Sequence, residues 1–380
     1  MKIINLELKP VTPIHVWSGI DLVKDIDFVD LGDKVCIIDL DKLLQFIRIE
    51  DLVKLTKEKI SHVIRKYAQQ LRLCKEILDK RSTETANALS QFNPYGVPGS
   101  SIKGYLRTAL LNYFIENAEK LNVKLKVDGV ISALKDELQR NIVMLQTFGN
   151  KKRIRHPKYI GASIEGIVRT PRPAKQGAFY DLFQTLVVSD PIKILIHRSV
   201  RMLYIKELKS ELRDISSKLI ECLDPGSMLK YHIQLITPPE LSTISSITPE
   251  HNMIADLHAI FSDVKILFEA LRSFSQKLIK FEINRVEQFE KLQSYVKVLE
   301  DLLRPPRECI AIRIGLGAGH KVKTVLLTLK QSGYEDIVTT VQQYMTLYYK
   351  RFWDDLTVKL VDMNGKLVGM GWALLCRTKE

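Results

Sequence analysis

The sequence predicts an α+β fold built on a ferredoxin-like order of elements, and two observations lead to this prediction. Short apolar and β-branched runs are separated by long stretches in which apolar residues return at helical spacing. When the longest helical stretches are set aside as insertions, the remaining order is strand, helix, strand, strand, helix, strand. No run approaches the roughly 20 apolar residues that a membrane span requires, so we expect a cytoplasmic protein with no membrane partner.

The length of the chain limits its domain organisation, and its net charge indicates the class of its partners. A chain of 380 residues exceeds one typical core, so we expect two domains or one domain with large insertions. The formal net charge of +13 makes nucleic acid the leading class of partner. A lysine-rich surface that is merely solvated is the alternative.

The cysteines predict neither a disulfide framework nor a zinc site. They stand at positions 36, 74, 222, 309 and 376, an odd number, and the two nearest are 38 residues apart. We therefore expect buried apolar thiols. The eight histidines are scattered without the spacing of metal ligands, so no metal and no cofactor are predicted.

The first 90 residues are predicted to contain two strands and one helical insertion. Residues 3–8 alternate apolar and polar side chains, as a half-buried strand does, and residues 35–40 form a second candidate strand. From about residue 41 to about residue 90, apolar residues recur at three- and four-residue steps, which predicts the helical insertion.

The rest of the chain continues the mixed pattern. Helices are predicted from about residue 99 to 120, over 133–145 and over 254–303, and strands over 182–189, 193–205, 227–237 and 309–314. Residues 357–361 and 366–376 predict a closing hairpin around an Asn-Gly turn.

A breaker-rich loop that runs into an apolar helix is the first candidate site. Residues 94–99 hold two prolines and two glycines, and Ser100 or Ser101 is expected to cap the helix after Gly99. Lys103 and Arg107, four residues apart, project together from one face. Free N–H groups at the helix start and these two cations would hold a phosphate. The alternative is a capped core helix whose cations are only solvated.

A basic stretch is the second candidate site. Residues 151–175 carry eight Lys or Arg against a single acid, Glu165. A basic loop that contains several prolines, over about 150–180 (the basic excursion), is suited to bind along a phosphate backbone. The alternative is an ordinary loop. The candidate RNA contacts in it are Lys151, Lys152, Arg153 and Arg155.

Two shorter stretches add candidate RNA contacts. His15, Trp17 and Ser18 follow the first strand in a turn, where an imidazole and an indole could face a base, although a packed core histidine is the alternative. Alternate glycines at 315–319 allow close approach to a ligand, beside two lysines. This loop has neither Walker A nor dinucleotide spacing. Its candidate contacts are Gly317, Gly319, His320, Lys321 and Lys323.

Four stretches together resemble the RAMP superfamily, the RNA-binding subunits of class 1 CRISPR effectors. They are residues 11–19 (VTPIHVWSG), 99–110 (GSSIKGYLRTAL), 183–190 (FQTLVVSD) and 312–319 (IRIGLGAG). They follow the order of the family motifs and span almost the whole chain. With the length and the closing residues 370–374, the sequence most resembles a subunit of a type III-A (Csm) effector complex.

This resemblance implies RNA-recognition-motif-like, ferredoxin-like domains, two in number, with large helical insertions. The first would span 1–240, with the helical insertion at about 41–90 and the basic excursion. The second would span 241–380, helical at first and then ferredoxin-like around the Gly-rich loop.

The resemblance also implies an RNA-binding, non-enzymatic subunit that acts in antiviral defence. Such a subunit caps the backbone filament and holds the 3′ part of the CRISPR RNA. Its expected partners are that RNA, target single-stranded RNA, and the Csm backbone and small subunits.

The competing interpretation is an endoribonuclease of the same superfamily, one that processes CRISPR RNA or cleaves target RNA as a backbone subunit. The sequence contains no His-x-Glu, His-Glu-x-x-His or Gly-x-Ser-x-Gly motif. Five aspartates between residues 21 and 33 crowd near a motif expected to meet RNA, but their spacing does not define a coordination shell. We therefore predict no catalytic residue.

Overall fold

The computed structural model describes residues 2–46, 57–69, 73–149, 154, 156, 160–171, 179–236, 263–319, 324–349 and 357–378. These residues form a mixed arrangement of sheets and helices, so the predicted α+β class is confirmed. No helix among them is long and apolar enough to span a membrane.

The strands and helices have the following bounds. The strands are β1 (Lys2–Pro10), β2 (Trp17–Val23), β3 (Phe28–Asp30), β4 (Lys34–Ile38), β5 (Cys74–Lys80), β6 (Ala88–Phe92), β7 (Arg169–Pro171), β8 (Phe179–Asp181), β9 (Leu186–Val188), β10 (Ile192–Leu195), β11 (Arg198–Leu208), β12 (Leu212–Leu223), β13 (Met228–Leu235), β14 (Cys309–Arg313), β15 (Thr357–Asp362), β16 (Leu367–Gly369) and β17 (Trp372–Arg377). The α-helices are α1 (Leu40–Phe46), α2 (Lys57–Gln69), α3 (Gly99–Glu116), α4 (Lys124–Phe148), α5 (Ile160–Ile164), α6 (Val264–Val286), α7 (Gln293–Leu303), α8 (Leu326–Gln331) and α9 (Glu335–Tyr349). Short 3-10 turns occupy Glu165–Val168, Leu182–Thr185, Glu290–Leu292 and Gly315–Gly317.

An antiparallel sheet of six strands carries the main core. Its order is β10-β13-β1-β17-β14, and β9 also pairs with β13. The alternation predicted for the first strand explains its place, because Ile4, Leu6 and Leu8 point into the core. Helix α3 contacts β9 and helix α6 contacts β14, and the rings of Tyr105 and Phe274 join the two helices with centroids 5.4 Å apart.

A second sheet of nine strands lies beside the first. Its order is β2-β6-β12-β11-β5-β4-β3, and β15 pairs with β11 and with β16. Strands from 241–380 complete both sheets, because β14 and β17 belong to the first and β15 and β16 to the second. The sheets therefore do not divide at residue 240, and the division of the chain into two domains at that point stays a prediction.

The predicted helical insertion is shorter than expected. Helices α1 and α2 lie within it, but β5 and β6 follow. In β5 the neighbouring apolar side chains point to opposite faces, since Ile77 is 40% exposed and Leu78 only 4%. A strand with two adjacent apolar residues can imitate helical spacing in so short a run.

Several other expected elements change. Residues 182–185 form a 3-10 turn rather than the start of a strand. The helix predicted over 133–145 is longer and forms the 25-residue α4. Strand β2 occupies part of the turn that was predicted after the first strand. Strand β12 was not predicted, because residues 213–218 are exposed and carry no alternating apolar pattern. It forms through its antiparallel pairing with β11.

Disulfide bonds join Cys36 to Cys74 and Cys309 to Cys376, so the prediction of free thiols is wrong for these four residues. Distance along the chain did not reveal the pairing, which arises because each pair lies on neighbouring strands. Cys309 and Cys376 face each other directly across β14 and β17. Cys222 is a buried free thiol.

Candidate nucleic-acid interface

A cavity of about 740 Å³ brings three of the four sequence motifs together. We call it the motif cavity. Its lining includes residues of the first motif, of helix α3, of the loop after β14, and of α5, α8 and α9. They are His15, Val16, Trp17, Ser101, Gly104, Tyr105, Arg107, Thr108, Leu111, Ile160, Ile164, Glu165, Arg313, Ile314, Gly315, Leu316, Ala318, Thr324, Val325, Leu326, Val341 and Met345.

His15 is buried in the wall of the motif cavity. Its Nδ1 lies 2.7 Å from the backbone carbonyl oxygen of Glu221, which can only accept, so Nδ1 carries the proton. Burial lowers the pKa of the imidazole below its ordinary value, which favours the neutral ring. Nε2 is then an acceptor, and it has no hydrogen-bond partner among the described residues.

Glu221 holds the carbonyl that orients His15. Its carboxylate accepts a hydrogen bond from Arg198 and another, at 3.0 Å, from the backbone N–H of Phe92. Burial raises the pKa of this carboxyl, and Arg198 opposes the shift. The orientation of His15 therefore rests on contacts that span β6, β11 and β12.

Trp17 differs from His15 in its exposure. Its side chain is 55% exposed, and its indole N–H donates to the carbonyl of Ile20 at 3.1 Å. The Ser18 hydroxyl accepts from the backbone N–H of Ile20 at 3.2 Å, so Ser18 stabilises the irregular start of β2, where the register with β6 shifts. The exposed indole is free to stack on a base.

The start of α3 is capped in a way that the sequence did not predict. Pro98 is the N-cap residue, so Ser100 and Ser101 lie within the first turn and neither is the cap. The backbone N–H of Gly99 donates to the Asp190 carboxylate at 3.2 Å. Asp190 closes the third motif, so a protein carboxylate takes the position where we expected a phosphate.

Gly99 is required by packing. A Cβ atom at this position would lie 2.2 Å from the carbonyl oxygen of Ser189. The third motif and the start of α3 are thus in direct backbone contact. Ser100 is exposed, whereas Ser101 is half-buried and lines the motif cavity.

Lys103 and Arg107 are not the two equivalent exposed cations that their spacing predicted. Both are half-buried, and a guanidinium N–H of Arg107 donates to the Glu165 carboxylate. The same guanidinium lies over the Phe183 ring, 5.0 Å from its centroid, and its Nε has no hydrogen-bond partner among the described residues. The pKa of Lys103 is lowered, chiefly by burial and then by the charge of Arg107.

Glu165 connects Arg107 to the basic stretch. Its second oxygen accepts from Arg169, and Arg169 Nε donates to Asp181 at 3.1 Å. The described part of this stretch is not only a solvated loop, since Ile164, Ile167 and Val168 are buried in the main core. The candidate contacts Lys151, Lys152, Arg153 and Arg155 lie outside the described residues and stay predictions.

The glycines of the fourth motif pack against the chain itself. A Cβ on Gly315 would lie 2.4 Å from the carbonyl oxygen of His15, and one on Gly317 would lie 2.3 Å from that of Met370. The backbone N–H of Leu316 also donates to the His15 carbonyl, at 2.8 Å. Only Gly319, among the three alternate glycines, meets no atom within 4 Å of an added Cβ. His320, Lys321 and Lys323 lie outside the described residues and stay predictions.

Arg313 is a lining residue that the sequence did not single out. It is buried and bonded to Glu282 at 3.0 Å, and its Nε donates to the Met370 carbonyl at 3.2 Å. Burial alone would raise the pKa of Glu282, but Arg313, Arg285 and Tyr295 together hold it below its ordinary value. An arginine inside a buried apolar strand was the signal available in the sequence, because such a cation requires a buried partner.

Four of the five aspartates between residues 21 and 33 are engaged through their side chains. Asp25 bonds Arg65, Asp27 accepts the backbone N–H of Val23 at 2.8 Å, and Asp30 pairs with Lys80 at 2.7 Å. Asp21 accepts from the Ser90 hydroxyl. No group of three or more His, Cys, Asp or Glu that could hold a metal occurs in the part of the chain that the structure describes.

Solved structures share the fold of this chain. A chain of the cryo-EM structure of a Csm–crRNA–target RNA ternary complex of a type III-A CRISPR-Cas system superposes with a TM-score of 0.63 and 17% identity, covering 98% of this chain and 100% of its own length. The crystal structure of Csm5 of T. onnurineus also matches, with a TM-score of 0.62 at 18% identity, covering 97% of this chain and 99% of Csm5. No protein-family model and no curated protein sequence matches this chain. The resemblance predicted from the motifs is confirmed at the level of the fold.

Proposed function

We propose that this chain is an RNA-binding structural subunit of a type III-A CRISPR-Cas (Csm) interference complex. The observation that carries the proposal is the full-length fold shared with Csm5 and with a chain of a Csm–crRNA–target RNA complex. The convergence of three motifs on one cavity and the net charge of +13 support it from this chain's own residues.

In this proposal the chain caps the backbone filament and holds the 3′ part of the CRISPR RNA. Its partners are that RNA, target single-stranded RNA, and the Csm backbone and small subunits. Two ferredoxin-like units would complete the architecture.

A capping subunit is present in few copies, whereas a backbone subunit repeats along the guide. The mass of the native complex, with its RNA extracted, distinguishes the two.

The direct test is the binding of single-stranded RNA by the purified full chain. We expect tight binding that tolerates sequence and weakens steeply with salt, because each neutralised phosphate contributes about 0.7 to the logarithmic salt slope for a single strand. Affinity is measured for two unrelated sequences between low and moderate salt. A flat salt response, or a large preference for one sequence, would contradict the proposal.

The alternative is a RAMP-family endoribonuclease, and a second measurement addresses it. The purified chain is incubated with a CRISPR repeat RNA, and separately with guide-complementary RNA and magnesium or manganese. We expect no cleavage in either case. Cleavage of the repeat would favour the RNA-processing nuclease, and cleavage of the target would favour a backbone nuclease.

A further inference from the structure

The charges in the lining of the motif cavity are already paired. Arg107 bonds Glu165, and Arg313 bonds Glu282. Most of the other lining residues are apolar, namely Val16, Leu111, Ile160, Ile164, Ile314, Leu316, Ala318, Val325, Leu326, Val341 and Met345. A phosphate would find no unpaired cation among these described residues and would lose its hydration in an apolar enclosure. While these ion pairs are intact, the cavity therefore does not suit the RNA backbone.

The same lining leaves three buried hydrogen-bonding atoms without a partner among the described residues. They are His15 Nε2, on a residue only 1% exposed, the Tyr105 hydroxyl and Arg107 Nε. The contact of Nδ1 with the Glu221 carbonyl makes Nε2 an acceptor, whereas Arg107 Nε is a donor. Buried polar atoms in native proteins are nearly always hydrogen-bonded, so an unpaired acceptor and an unpaired donor in one cavity indicate a ligand that carries both.

We propose that the motif cavity binds one unstacked nucleoside of a bound RNA strand, with His15 Nε2 accepting a hydrogen bond from it. Apolar walls suit the faces of a base, and RNA-binding proteins commonly take up splayed bases of single strands. The volume of about 740 Å³ falls within the usual range for ligand sites. This inference rests on the proposed function, because the RNA strand supplies the nucleoside.

Two groups of a nucleoside can donate to His15 Nε2, the ribose 2′-hydroxyl and a base N–H. Either group would form the same hydrogen bond to His15 Nε2, so the test includes one altered strand for each group. Trp17 lines the same cavity with an exposed indole, which can stack on the neighbouring base of the strand.

The test narrows the cavity without disturbing the fold. Gly104 lines the cavity on helix α3, and an added Cβ would meet no atom within 4 Å. Gly129 on helix α4 is equally open but does not line the cavity, so it provides a matched control. We expect Gly104→Leu to weaken RNA binding about tenfold relative to Gly129→Leu. Both variants should melt no lower than the wild-type chain, because leucine favours a helix more than glycine does.

A second variant tests the acceptor. In His15→Asn, the amide nitrogen can replace Nδ1 as donor to Glu221, while no atom replaces Nε2. We expect a loss of roughly threefold to tenfold in RNA affinity, the range of one hydrogen bond. His15→Gln, whose longer side chain reaches the Nε2 position, should recover part of the loss.

Chemically altered strands identify the group that occupies the cavity. If a base occupies the cavity, Gly104→Leu should not weaken the binding of an RNA of the same length that lacks bases. If the 2′-hydroxyl donates to His15, His15→Asn should not weaken the binding of DNA of the same sequence, which lacks that group.

Equal RNA affinity for Gly104→Leu and Gly129→Leu would overturn the inference, and the proposed function would stand if wild-type binding remained salt-dependent. Failure of the wild-type chain to bind RNA at all would overturn both.

Discussion

At the scale of single residues, Glu165 pairs with Arg107, a cation that the sequence predicted to hold an RNA phosphate. It is the single acid of the basic stretch 151–175, and its two oxygens accept from Arg107 and Arg169. The Arg107 guanidinium on helix α3 is therefore held by the basic stretch in this structure. A phosphate that reaches Arg107 must compete with this carboxylate.

Removal of that carboxylate charge should strengthen RNA binding. We expect Glu165→Gln to lower the dissociation constant about twofold to fivefold, because a half-buried ion pair contributes on the order of 0.5–1 kcal/mol. The measurement is fluorescence anisotropy of a labelled RNA at fixed salt. Glu300→Gln, at an exposed position of helix α7, changes the net charge equally and is the control. An equal gain in both variants would mean that Arg107 does not meet phosphate.

His15 should make the free energy of unfolding depend on pH. Burial lowers its pKa in the folded chain below the value of 6.5 for an exposed histidine. Below that pH the unfolded chain binds a proton more readily than the folded chain, so the contribution of this residue to stability falls as the pH falls.

The buried Glu221 has a raised pKa, and its contribution has the opposite sign. A comparison between two chains is therefore needed to isolate His15. We expect the melting temperature of the wild-type chain to fall more between pH 7.5 and 5.5 than that of His15→Asn. Equal decreases in the two chains would place the imidazole in a solvated position.

At the scale of elements, helix α3 depends on one glycine and tolerates change at another. A Cβ on Gly99 would collide with the backbone of Ser189, whereas one on Gly104 meets nothing within 4 Å. We expect Gly99→Ala to destabilise the chain by about 2 kcal/mol or more. Gly104→Ala should stabilise it by about 0.5–1 kcal/mol, since alanine favours a helix more than glycine does. Chemical denaturation measures both, and a smaller loss for Gly99→Ala than for Gly104→Ala would contradict the packing argument.

The elements that the sequence predicted well are those with a regular apolar period. The first strand, helix α3 and strand β14 lie close to their predicted bounds, whereas the stretch 254–303 holds two helices, α6 and α7, in its described part. Strand β12 was missed because its outer half is polar and depends on a partner strand for its conformation. The disulfides were also missed, because the sequence does not show which strands lie next to each other in the folded sheet.

The sequence singled out His15, Ser101 and Arg107 as candidate RNA contacts but not their geometry. The fold brings all three to the lining of one cavity, and their contact with RNA stays a prediction. Helical spacing could not reveal that Glu165 neutralises Arg107, or that Asp190 caps α3. Both contacts come from residues far along the chain, and only the fold brings them to the helix.

At the scale of the whole molecule, the two ends of the chain meet on the same strand. Strand β1 pairs with β13 on one side and with β17 on the other. The backbone of Thr12 and Val11 then hydrogen-bonds to Trp372, and the N–H of Gly371 donates to the Pro13 carbonyl at 3.0 Å. This pairing holds the first motif against the closing residues 370–374, and the bond from Leu316 to the His15 carbonyl joins the first motif to the fourth, so the motif cavity depends on contacts between distant parts of the chain.

The aspartates near the first motif bear on whether this molecule cuts RNA. A hydrated divalent ion at a scissile phosphate requires carboxylate oxygens that are free to bind it. Asp25 and Asp30 are instead committed to Arg65 and Lys80, and Asp27 accepts a backbone N–H. We therefore expect target cleavage by the assembled complex to be unchanged when Asp21, Asp25, Asp27 or Asp33 is replaced singly by Ala.

Asp30 requires a different substitution, because its pair with Lys80 is almost fully buried, with side-chain exposures of 7% and 2%. Removal of one partner of such a pair costs about 3–5 kcal/mol, so loss of activity in Asp30→Ala could reflect unfolding. Asp30→Asn keeps the shape and a hydrogen-bonding oxygen, and its complex is compared with wild type by the pattern of cuts at fixed magnesium. Unchanged cuts are the expected result. Loss of one cut from an intact complex, through Asp30→Asn or any of the single alanine changes, would identify this loop as a nuclease site and contradict the structural role.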